Sequence, residues 1–428
     1  MAFSIEKRSG NYGKKHEFTS GIFRTDEYLG YGELNMPFTW WEYQDALEKA
    51  RVSNEETPVK IELSYTKRDF LLPHTMDKND GTFNNLYELL ELNLLARQLS
   101  DMDETTQKCF EAQVELEQKS PESDETIPFP FAKLINLTYQ TQNCMYGGSS
   151  HNYSNLGRFL FESDMLSDDI YEKTTELFGT LYDDIPEEWM TFVGRQRYED
   201  YGGVFTDAGY FECPTEIPEV YKRGETDYFN HSGALVELEV RKDGEEVVTL
   251  GLPTSDEKMT EMLKSIGANS IDECEWQCVE CQIPFAKESI TQTEDFEQIE
   301  EFANFLQGLE QKEVGKYKAL LQAAECSDLE TALTLGANLN DYEFFPLHYT
   351  LEHYGLCALY EAYGEETTNA LSQYMDCFKY GKDMMDKENA VDTEYGVIRR
   401  KNLEPIIALE SDMEEDESQG MGGMDQQQ

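Results

Sequence analysis

Three short motifs contain residue types that could bind a metal ion, but each departs from the required spacing. Residues 274–281 carry three cysteines with zinc-like spacing, yet Trp276, Cys278 and Val279 belong to an apolar β-strand pattern, and no similar pair provides a fourth ligand. Residues 77–81 begin like a calcium loop, but the glycine stands at the fifth position, where a ligand oxygen is needed. His348 and His353 are five residues apart rather than four, so the metalloprotease helix spacing is not met. The sequence therefore predicts buried free thiols and a surface turn, and we expect no metal or other cofactor.

Two further motifs have residue types that could bind phosphate or support acyl transfer. Six residues separate Gly308 from the Gly315-Lys316 pair, instead of the four of a phosphate loop, and no Ser or Thr follows the lysine. Residues 147–151, Gly-Gly-Ser-Ser-His, lack the spacing of a nucleophile elbow and are typical of a polar turn. A nucleotide-acting enzyme that combines this turn with the carboxylates of residues 164–169 stays open as an alternative. No complete catalytic constellation supports an enzyme, however.

Carboxylates are the residue type whose placement stands out. Residues 161–190 contain ten acids and a single base, Lys173. A solvated charged face explains any one of these acids, but many unpaired like charges destabilise a compact fold, so the concentration indicates a partner-binding surface. The ten acids are Glu162, Asp164, Asp168, Asp169, Glu172, Glu176, Asp183, Asp184, Glu187 and Glu188. Secondary candidates for phosphate-mimicking contacts are Glu88, Glu91, Asp101, Asp103, Glu104, Glu294, Asp295, Glu297, Glu300 and Glu301.

The whole chain shares this acidic bias. Its 428 residues carry 86 Asp plus Glu against 35 Lys plus Arg, a formal net charge of -51. Such a charge repels nucleic acid and anionic lipid, so we expect a basic protein partner, no direct nucleic-acid binding and no membrane association. No apolar run suits a membrane span or a signal peptide, and nine scattered cysteines favour reduced thiols, so we expect a cytoplasmic protein. Salt adaptation gives a similar charge, but 25 Tyr, 23 Phe and nine Cys fit it poorly.

The elements that must position these acids form an internal duplication. Residues 34–37 and 250–253 each end an apolar run at a proline, and a helix follows in both places. Thr39 is the expected cap of the first helix, and Thr254 or Ser255 that of the second, with Thr254 at capping-box spacing from a glutamate. The strand-like residues 59–63 and 276–281 come next, so the order strand, helix, strand occurs twice.

The apolar pattern repeats again downstream. Steps of three and four residues place five apolar residues on one helical stripe in each copy, and a second helix follows both stripes. The stripes are Leu86, Leu89, Leu92, Leu95 and Leu99 in the first copy, and Phe296, Ile299, Phe302, Phe305 and Leu309 in the second. The second helices carry Phe110 and Val114 in one copy, and Val314, Tyr317 and Leu321 in the other. Residues 156–162 then parallel 354–361, and 201–204 parallel 395–397.

These patterns predict an α+β fold of tandem small α/β modules, each a small antiparallel sheet with helices on one face, in an elongated acidic molecule. A β-hairpin is expected around Asp243-Gly244, between residues 235–240 and 247–250. The predicted organisation is a flexible basic arm (1–30), a first module (31–212), a connector (213–232), a second module (233–400) and a disordered acidic tail (401–428).

The charge and the predicted scaffold together suggest an imitation of DNA. Duplex DNA carries one negative charge per about 1.7 Å of axis, so 51 charges at that density cover roughly 87 Å, or about 25 base pairs. The apolar stripes would supply the rigid scaffold that such an imitation requires. A folded protein with carboxylates along one face could therefore present itself as a set of DNA phosphates.

Several segments resemble the ArdA-type antirestriction proteins, especially the long versions found on phages and mobile elements. The resemblance covers most of residues 30–400 in the order of elements. The segments that carry it are Leu92-Asn-Leu-Leu-Ala-Arg-Gln-Leu99, Phe131-Ala-Lys-Leu-Ile-Asn-Leu-Thr138, Asn155-Leu-Gly-Arg158, Tyr201-Gly-Gly-Val-Phe-Thr-Asp-Ala-Gly209, and Thr249-Leu-Gly-Leu-Pro-Thr254 with Met262-Leu-Lys-Ser-Ile-Gly-Ala268.

The resemblance implies a non-enzymatic DNA mimic that blocks the DNA-binding channel of a host restriction-modification enzyme or another DNA-targeting defence complex. It also implies small α/β modules and a homodimer, which the tandem duplication would replace or extend. It implies no catalytic residue, since the acids act as a field. The alternative from charge alone is an acidic interaction protein or chaperone that binds a basic partner.

Overall fold

The chain forms two compact units in a computed structural model. The residues that the structure describes are 16–25, 30–54, 57–120, 127–179, 185–213, 219–229, 231–242, 247–290, 295–346 and 350–406. Unit 1 comprises Met1–Gly21, Asn35–Pro37 and Lys60–Tyr228, and unit 2 comprises Ile22–Leu34, Phe38–Val59 and Phe229–Gln428. Both units contain helices and small antiparallel sheets, so the fold is α+β, as predicted.

The first half of the chain begins with strands and continues with helices. Its described strands and helices are, in chain order, β1 (Phe18–Arg24), β2 (Tyr31–Met36), α1 (Trp40–Lys49), β3 (Val59–Thr66), β4 (Thr82–Phe83), α2 (Leu86–Asp101), α3 (Glu104–Gln118), α4 (Phe131–Thr138), β5 (Met145–Tyr146), α5 (Tyr153–Glu162), α6 (Asp168–Phe178), α7 (Glu187–Tyr201), β6 (Val204–Thr206) and β7 (Gly209–Glu212).

The second half repeats this order apart from the short strand β4. Its described strands and helices are β8 (Val236–Arg241), β9 (Val248–Leu252), α8 (Asp256–Ser265), β10 (Glu275–Cys281), α9 (Phe296–Gly308), α10 (Gln311–Ala323), α11 (Leu329–Ala337), β11 (Tyr342–Pro346), α12 (Leu351–Tyr363), α13 (Glu365–Ser372), α14 (Cys377–Glu388), β12 (Val391–Thr393) and β13 (Gly396–Arg400).

The predicted duplication is thus present in the order of elements. The prolines that mark its start, Pro37 and Pro253, both follow a cis peptide bond. The predicted modules 31–212 and 233–400 follow this repeat along the chain, whereas the two compact units are defined by contacts in space. For this reason residues 38–59, which lie in the first repeat, belong to unit 2.

The helical stripes form because apolar residues at steps of three and four meet on one side of a helix. All five leucines of the predicted stripe in α2 are buried, and the Asn85 side chain caps this helix by accepting from the Glu88 backbone N–H. In α9, Ile299 and Phe302 are buried, and Leu306 continues the buried face. Phe296, Phe305 and Leu309 pack against the same core from partly buried positions.

The caps of the two repeated helices α1 and α8 differ. In α1, Thr39 and Glu42 form the predicted capping box. In α8 the cap is Ser255, whose hydroxyl accepts from the Lys258 backbone N–H, and the helix begins at Asp256. The predicted capping box at Thr254 is therefore wrong, because the helix starts one residue later than that spacing requires.

Three small sheets are antiparallel and three-stranded. Unit 1 contains the sheet β5-β7-β6, and there β3 also pairs with β4. Unit 2 contains the sheets β10-β8-β9 and β11-β13-β12. The hairpin predicted between residues 235–240 and 247–250 is confirmed by the pairing of β8 with β9, in which Leu238 lies opposite Leu250, while its predicted turn at Asp243-Gly244 lies outside the described residues. Alternation buries Val236, Leu238 and Val240 of β8 in the core of unit 2.

Glycines allow one pair of helices in each repeat to pack backbone against backbone. A Cβ added at Gly157 in α5 would lie 2.0 Å from the Met190 carbonyl oxygen of α7. A Cβ added at Gly355 in α12 would lie 2.4 Å from the Cys377 carbonyl oxygen of α14. The predicted similarity of residues 156–162 to 354–361 therefore corresponds to the same close helix–helix contact in both repeats.

The last hairpin of each repeat shows that the predicted match of residues 201–204 with 395–397 is out of alignment. Residues 206–209 join β6 to β7, and residues 393–396 join β12 to β13. In both turns the threonine hydroxyl binds backbone groups of the turn, and the glycine has a positive φ, of +133° and +144°. The predicted match of Tyr201 with Tyr395 is wrong, since Tyr201 ends helix α7 whereas Tyr395 lies in the turn.

Part of the predicted flexible arm is folded. Phe18 of β1 is fully buried, and so is the preceding Glu17, whose carboxylate accepts hydrogen bonds from Lys67 and Arg68 in unit 1. The prediction of a flexible arm over 1–30 is wrong for residues 17–24, because Phe18 and Ile22 are buried in the fold. Residues 1–15 and most of the predicted acidic tail, 407–428, lie outside the described residues.

A buried ion cluster in unit 2 joins the first helix of the chain to the second repeat. The ammonium of Lys318 in α10 is 4% exposed and lies 2.6 Å from Asp45 and 2.9 Å from Glu48 of α1. The Tyr395 hydroxyl donates to the same Asp45 carboxylate, and Lys49 lies 3.1 Å from it. Each buried charge is compensated, as burial of ionised groups requires.

Candidate partner-binding surface

The motifs whose residue types could bind a metal ion or support catalysis have structural roles in the fold. The cysteines at 274, 278 and 281 are buried thiols, as predicted, and burial raises the pKa of the Cys281 thiol. No group of three or more His, Cys, Asp or Glu residues within the described part of the chain could hold a metal ion. His348 lies outside the described residues, while His353 is exposed in α12.

The turn at residues 147–151 is held by hydrogen bonds to the backbone. The buried Ser150 hydroxyl donates to the Gly147 carbonyl oxygen over 2.6 Å, and the Gly147 N–H donates to Tyr210. His151 is exposed, with its Nδ1 3.4 Å from the Thr206 carbonyl oxygen. The geometry is that of the predicted polar turn, since the Ser150 hydroxyl already forms a hydrogen bond within it.

Seven of the acids of residues 161–190 lie on three helices that pack together in unit 1, and Asp164 lies between the first two of these helices. Asn152 caps α5, and the close contact of α5 with α7 buries Leu156, Leu160 and Val193 against Tyr210 of β7. Helix α6 joins them through the Trp189 indole N–H of α7, which donates to a threonine hydroxyl of α6 over 2.9 Å. We call the helices α5, α6 and α7 together the acidic layer.

Eight of the ten predicted acids in this region are described, and all eight are exposed. They are Glu162, Asp164, Asp168, Asp169, Glu172, Glu176, Glu187 and Glu188. None of them lies within salt-bridge distance of a basic group in the described part of the chain. Asp183 and Asp184 lie outside the described residues. The structure thus brings the eight acids onto one packed scaffold with their charges uncompensated.

Four of these acids also suit the ends of their helices. Asp168 and Asp169 lie in the first turn of α6, and Glu187 and Glu188 in the first turn of α7. Negative side chains at a helix N-terminus are stabilised by the helix dipole. Local structure therefore offsets part of the repulsion among the carboxylates.

Large apolar side chains are exposed on the same three helices. Leu177 of α6 is 60% exposed, and Phe192 and Tyr201 of α7 are 51% and 58% exposed. The Arg197 guanidinium lies 3.8 Å from the Tyr201 ring centroid, a cation–π contact. Aromatic groups beside charged groups are typical of protein interfaces, so this surface can contact a protein through more than charge.

The secondary candidates in unit 1 are mostly engaged in helix ends. Asp103 caps α3, and hydrogen bonds from Thr106 lower the pKa of its carboxyl. Glu104 lies 2.7 Å from Lys108, one turn away on the same helix. Asp101 is exposed at the end of α2, and Glu88 is half-buried beside the cap Asn85.

Glu91 is not a surface acid, so its place among the predicted partner-binding residues is wrong. Its side chain is 0% exposed and accepts two hydrogen bonds from the Arg223 guanidinium, over 2.8 and 2.6 Å. The Tyr221 hydroxyl donates to the same carboxylate over 2.9 Å and lies 2.8 Å from the Tyr228 hydroxyl. The helical stripe places residue 91 between Leu89 and Leu92 on the buried face, and its partners come from a distant segment of unit 1.

The candidates at the start of α9 belong to unit 2. Asp295 caps the helix by accepting from the Glu297 backbone N–H over 3.0 Å, and Glu297 and Glu301 are exposed. Glu300 is half-buried, and burial, with repulsion from Asp256 and Glu297, raises the pKa of its carboxyl. Glu294 lies outside the described residues.

The structure adds a second group of acids that the sequence reasoning missed. The helices α12, α13 and α14 correspond in order to α5, α6 and α7, and they carry seven exposed acids with three exposed lysines. The acids are Glu352, Glu361, Glu365, Glu366, Asp376, Asp383 and Asp386. The internal repeat was the available signal, because the counterpart of residues 161–190 falls in this segment, but its lysines dilute the local acid excess.

No helix in the described part of the chain is both long and apolar enough to cross a bilayer. Neither a protein-family model, nor a curated protein, nor a solved structure matches the chain.

Proposed function

We propose that this protein is a DNA mimic that binds the DNA-binding channel of a bacterial defence enzyme, such as a restriction-modification complex, and blocks it in the cytoplasm. The observation that carries the proposal is the acidic layer, whose eight exposed carboxylates have no basic partner in the described residues. A surface that tolerates so many uncompensated charges gains stability when a basic partner compensates them.

The helix packing supports a mimic that is rigid before binding. The close contact at Gly157 and the buried residues of α5 and α7 fix the backbone that carries the acids. Carboxylates on a fixed scaffold lose little freedom on binding, as DNA phosphates do on a duplex. The expected association is fast and strongly weakened by salt, because long-range attraction steers the encounter.

A pair of variants with equal charge change tests the role of the acidic layer. The layer variant neutralises five of its acids: Glu162→Gln, Asp168→Asn, Asp169→Asn, Glu172→Gln and Glu176→Gln. The control variant neutralises five exposed acids of unit 2: Glu239→Gln, Glu257→Gln, Glu261→Gln, Asp272→Asn and Glu330→Gln. Circular dichroism would check that both remain folded.

The measurement is a pull-down from a bacterial lysate that contains several DNA-defence systems, eluted separately with salt and with excess duplex DNA. We expect a restriction or nuclease subunit that duplex DNA releases, and an affinity for it at least about tenfold lower in the layer variant only. Equal binding by the wild type and both variants, or capture that DNA does not displace, would contradict the proposal.

A second candidate function is an acidic interaction protein that binds a basic partner in a way unrelated to DNA. The exposed Leu177, Phe192 and Tyr201 favour it, because phosphate mimicry does not require apolar contacts. Competition separates the two functions: duplex DNA displaces the partner of a mimic and leaves the partner of a plain interaction protein bound.

A further inference from the structure

Three cysteines of unit 1 lie in one small apolar core. Cys109 of α3 and Cys213, which follows β7, are 4% and 8% exposed, and the half-buried Cys144 packs against the same core. All three are thiols in the structure. The apolar residues around them come from α3 and from the sheet β5-β7-β6, such as Ala112 and Phe211. The fold thus brings together three thiols that are distant from one another in the sequence.

The strand register sets the distance between two of these cysteines. Cys144 has an extended backbone just before β5, and the antiparallel register of β5 with β7, continued by one residue, places it directly opposite Cys213. In the same register the Gly147 N–H donates to the Tyr210 carbonyl oxygen over 2.8 Å, which makes that pair a hydrogen-bonded one. Because the two kinds of pair alternate along antiparallel strands, the cysteines form a non-hydrogen-bonded pair, with Cα atoms about 4.5 Å apart. Disulfides require a Cα separation of about 4.4–6.8 Å.

Side-chain contacts agree with this register. Tyr146 and Phe211, the next pair on the same face of the sheet, stack with their ring centroids 4.8 Å apart. A hydrogen bond with Cys109 lowers the pKa of the Cys144 thiol, but a hydrogen bond with Cys213 and burial outweigh it, so this pKa is raised. Little thiolate is therefore present at neutral pH, and the thiols should persist until an oxidant is abundant.

A bond between residues 144 and 213 would close a loop of the chain that contains the whole acidic layer, because α5, α6 and α7 all lie between these residues. The layer also packs on the opposite face of the same sheet, where Met145 and Tyr210 contact the core of α5 and α7. Since closure of a long loop restricts the unfolded chain, such a bond would stabilise the segment that carries the acids.

We propose that Cys144 and Cys213 are an oxidation site, which hydrogen peroxide converts into a cross-strand disulfide that stabilises the acidic layer. The half-buried Cys144 reacts first: its thiolate attacks a peroxide oxygen, the O–O bond breaks, and a sulfenic acid forms while hydroxide leaves and takes up the thiol proton as water. The Cys213 sulfur then attacks the sulfenic sulfur, the S–O bond breaks, and the S–S bond forms as a second water leaves with the Cys213 proton. Two thiols lose two electrons in total, and the peroxide is reduced to two waters. The site does not depend on the proposed function.

The test treats the full chain with hydrogen peroxide under native conditions at about pH 8, where more thiolate is present than at neutral pH. The remaining thiols are then alkylated in denaturant, and peptides linked by disulfides are mapped by mass spectrometry without reduction. The variants are Cys144→Ala, Cys213→Ala and Cys109→Ala. Cys326→Ala is the matched control, because Cys326 is a half-buried thiol of unit 2. Circular dichroism would check that every variant remains folded before oxidation.

We expect one main linked pair, Cys144 with Cys213, in the wild type, in Cys109→Ala and in Cys326→Ala, and dithiothreitol should reverse it. Oxidation should raise the thermal midpoint of the wild type by at least about 5 °C and leave that of Cys213→Ala without this rise. A main pair of Cys144 with Cys109, oxidation of Cys144 to a sulfinic acid without any linked peptide, or a disulfide that leaves the midpoint unchanged would overturn the proposal.

Discussion

At the scale of single residues, the same chemical type has opposite roles in this protein. Glu91 and Glu162 are both glutamates in helices, yet one is buried in a bidentate contact with Arg223 and the other is exposed without a basic partner in the described residues. Asp45 is likewise buried and compensated, by Lys318 and Lys49. Removal of an exposed acid should affect binding, whereas removal of a buried one should affect stability.

Glu91→Gln should destabilise unit 1 by about 1–3 kcal/mol, because Arg223 loses its charged partner and the Tyr221 hydroxyl loses its charged acceptor. Urea unfolding followed by circular dichroism would measure the change. Asp101→Asn, on the same helix but exposed, should change stability by less than about 0.5 kcal/mol. Partner binding should be the same in both variants. Weaker binding by a folded Glu91→Gln variant would show that this residue contributes to the partner interface.

Asp45 should give unit 2 an acid-sensitive stability. Burial by itself raises the pKa of this carboxyl, but the attraction of Lys318 and Lys49 outweighs burial and holds the pKa below its usual value. A carboxyl with a lowered folded-state pKa stabilises the fold above its unfolded-state pKa of about 3.9, and this stabilisation is lost as the pH falls through the folded-state value.

Asp45→Asn should therefore be less stable than the wild type by about 3 kcal/mol at pH 7, because Lys318 keeps only Glu48 as an acidic partner among the described residues. Below about pH 4 the difference should shrink, since the wild type loses the ionised contact as well. Urea midpoints from tryptophan fluorescence at several pH values would measure this, with the exposed Asp272→Asn as control. A difference that stays constant down to about pH 2 would show that the ion cluster does not titrate as expected.

At the scale of elements, glycine decides how closely two helices of each repeat approach. Gly157 and Gly194 place the backbones of α5 and α7 in contact, and Gly355 and Gly381 do the same for α12 and α14. The acids of α5 and α7 are carried by this contact. A change at these glycines therefore alters the spacing of the carboxylates as well as the stability.

Gly194→Ala should destabilise the acidic layer by at least about 2 kcal/mol, because the added Cβ would lie 1.9 Å from the Tyr153 carbonyl oxygen and the helices must separate. Gly308→Ala is the matched control: this glycine, the last residue of α9, has nothing within 4 Å of an added Cβ, so alanine should stabilise by about 0.4–1 kcal/mol by restricting the unfolded chain. Thermal unfolding of both variants measures the contrast. Equal midpoints would mean that α5 and α7 adjust at no cost.

At the scale of the whole molecule, the net charge of -51 opposes the folded state and favours basic partners at the same time. The core of unit 2, which extends from Val236 in β8 to Ile398 in β13, and the buried apolar residues of unit 1 must offset this repulsion. Salt screens exposed charges over about 10 Å at 0.1 M, so stability and partner binding should respond to it in opposite directions.

The thermal midpoint of the free protein should rise when sodium chloride increases from about 0.02 to 0.5 M, while affinity for the partner falls. The layer variant and the control variant carry the same total charge. If the acidic layer concentrates the repulsion, the layer variant should show the smaller rise of midpoint with salt. The same rise in both would show that the repulsion is spread evenly over the surface.

Residue types and their spacing along the chain are enough to predict the α+β class, the repeated order of elements, the stripes of α2 and α9, the hairpin of β8 with β9, and the acid excess of residues 161–190. These features are local, since periodicity, caps and turn residues act within a few positions of the chain. Features that depend on distant partners are seen only in the folded chain. There Glu91 is buried against Arg223, α1 is joined to Lys318, and residues 18–24 form a strand. Burial and ion pairing depend on which segments of the chain meet in the folded protein. A helical pattern in the sequence therefore cannot tell an acid on the surface from an acid that pairs with an arginine of the same chain.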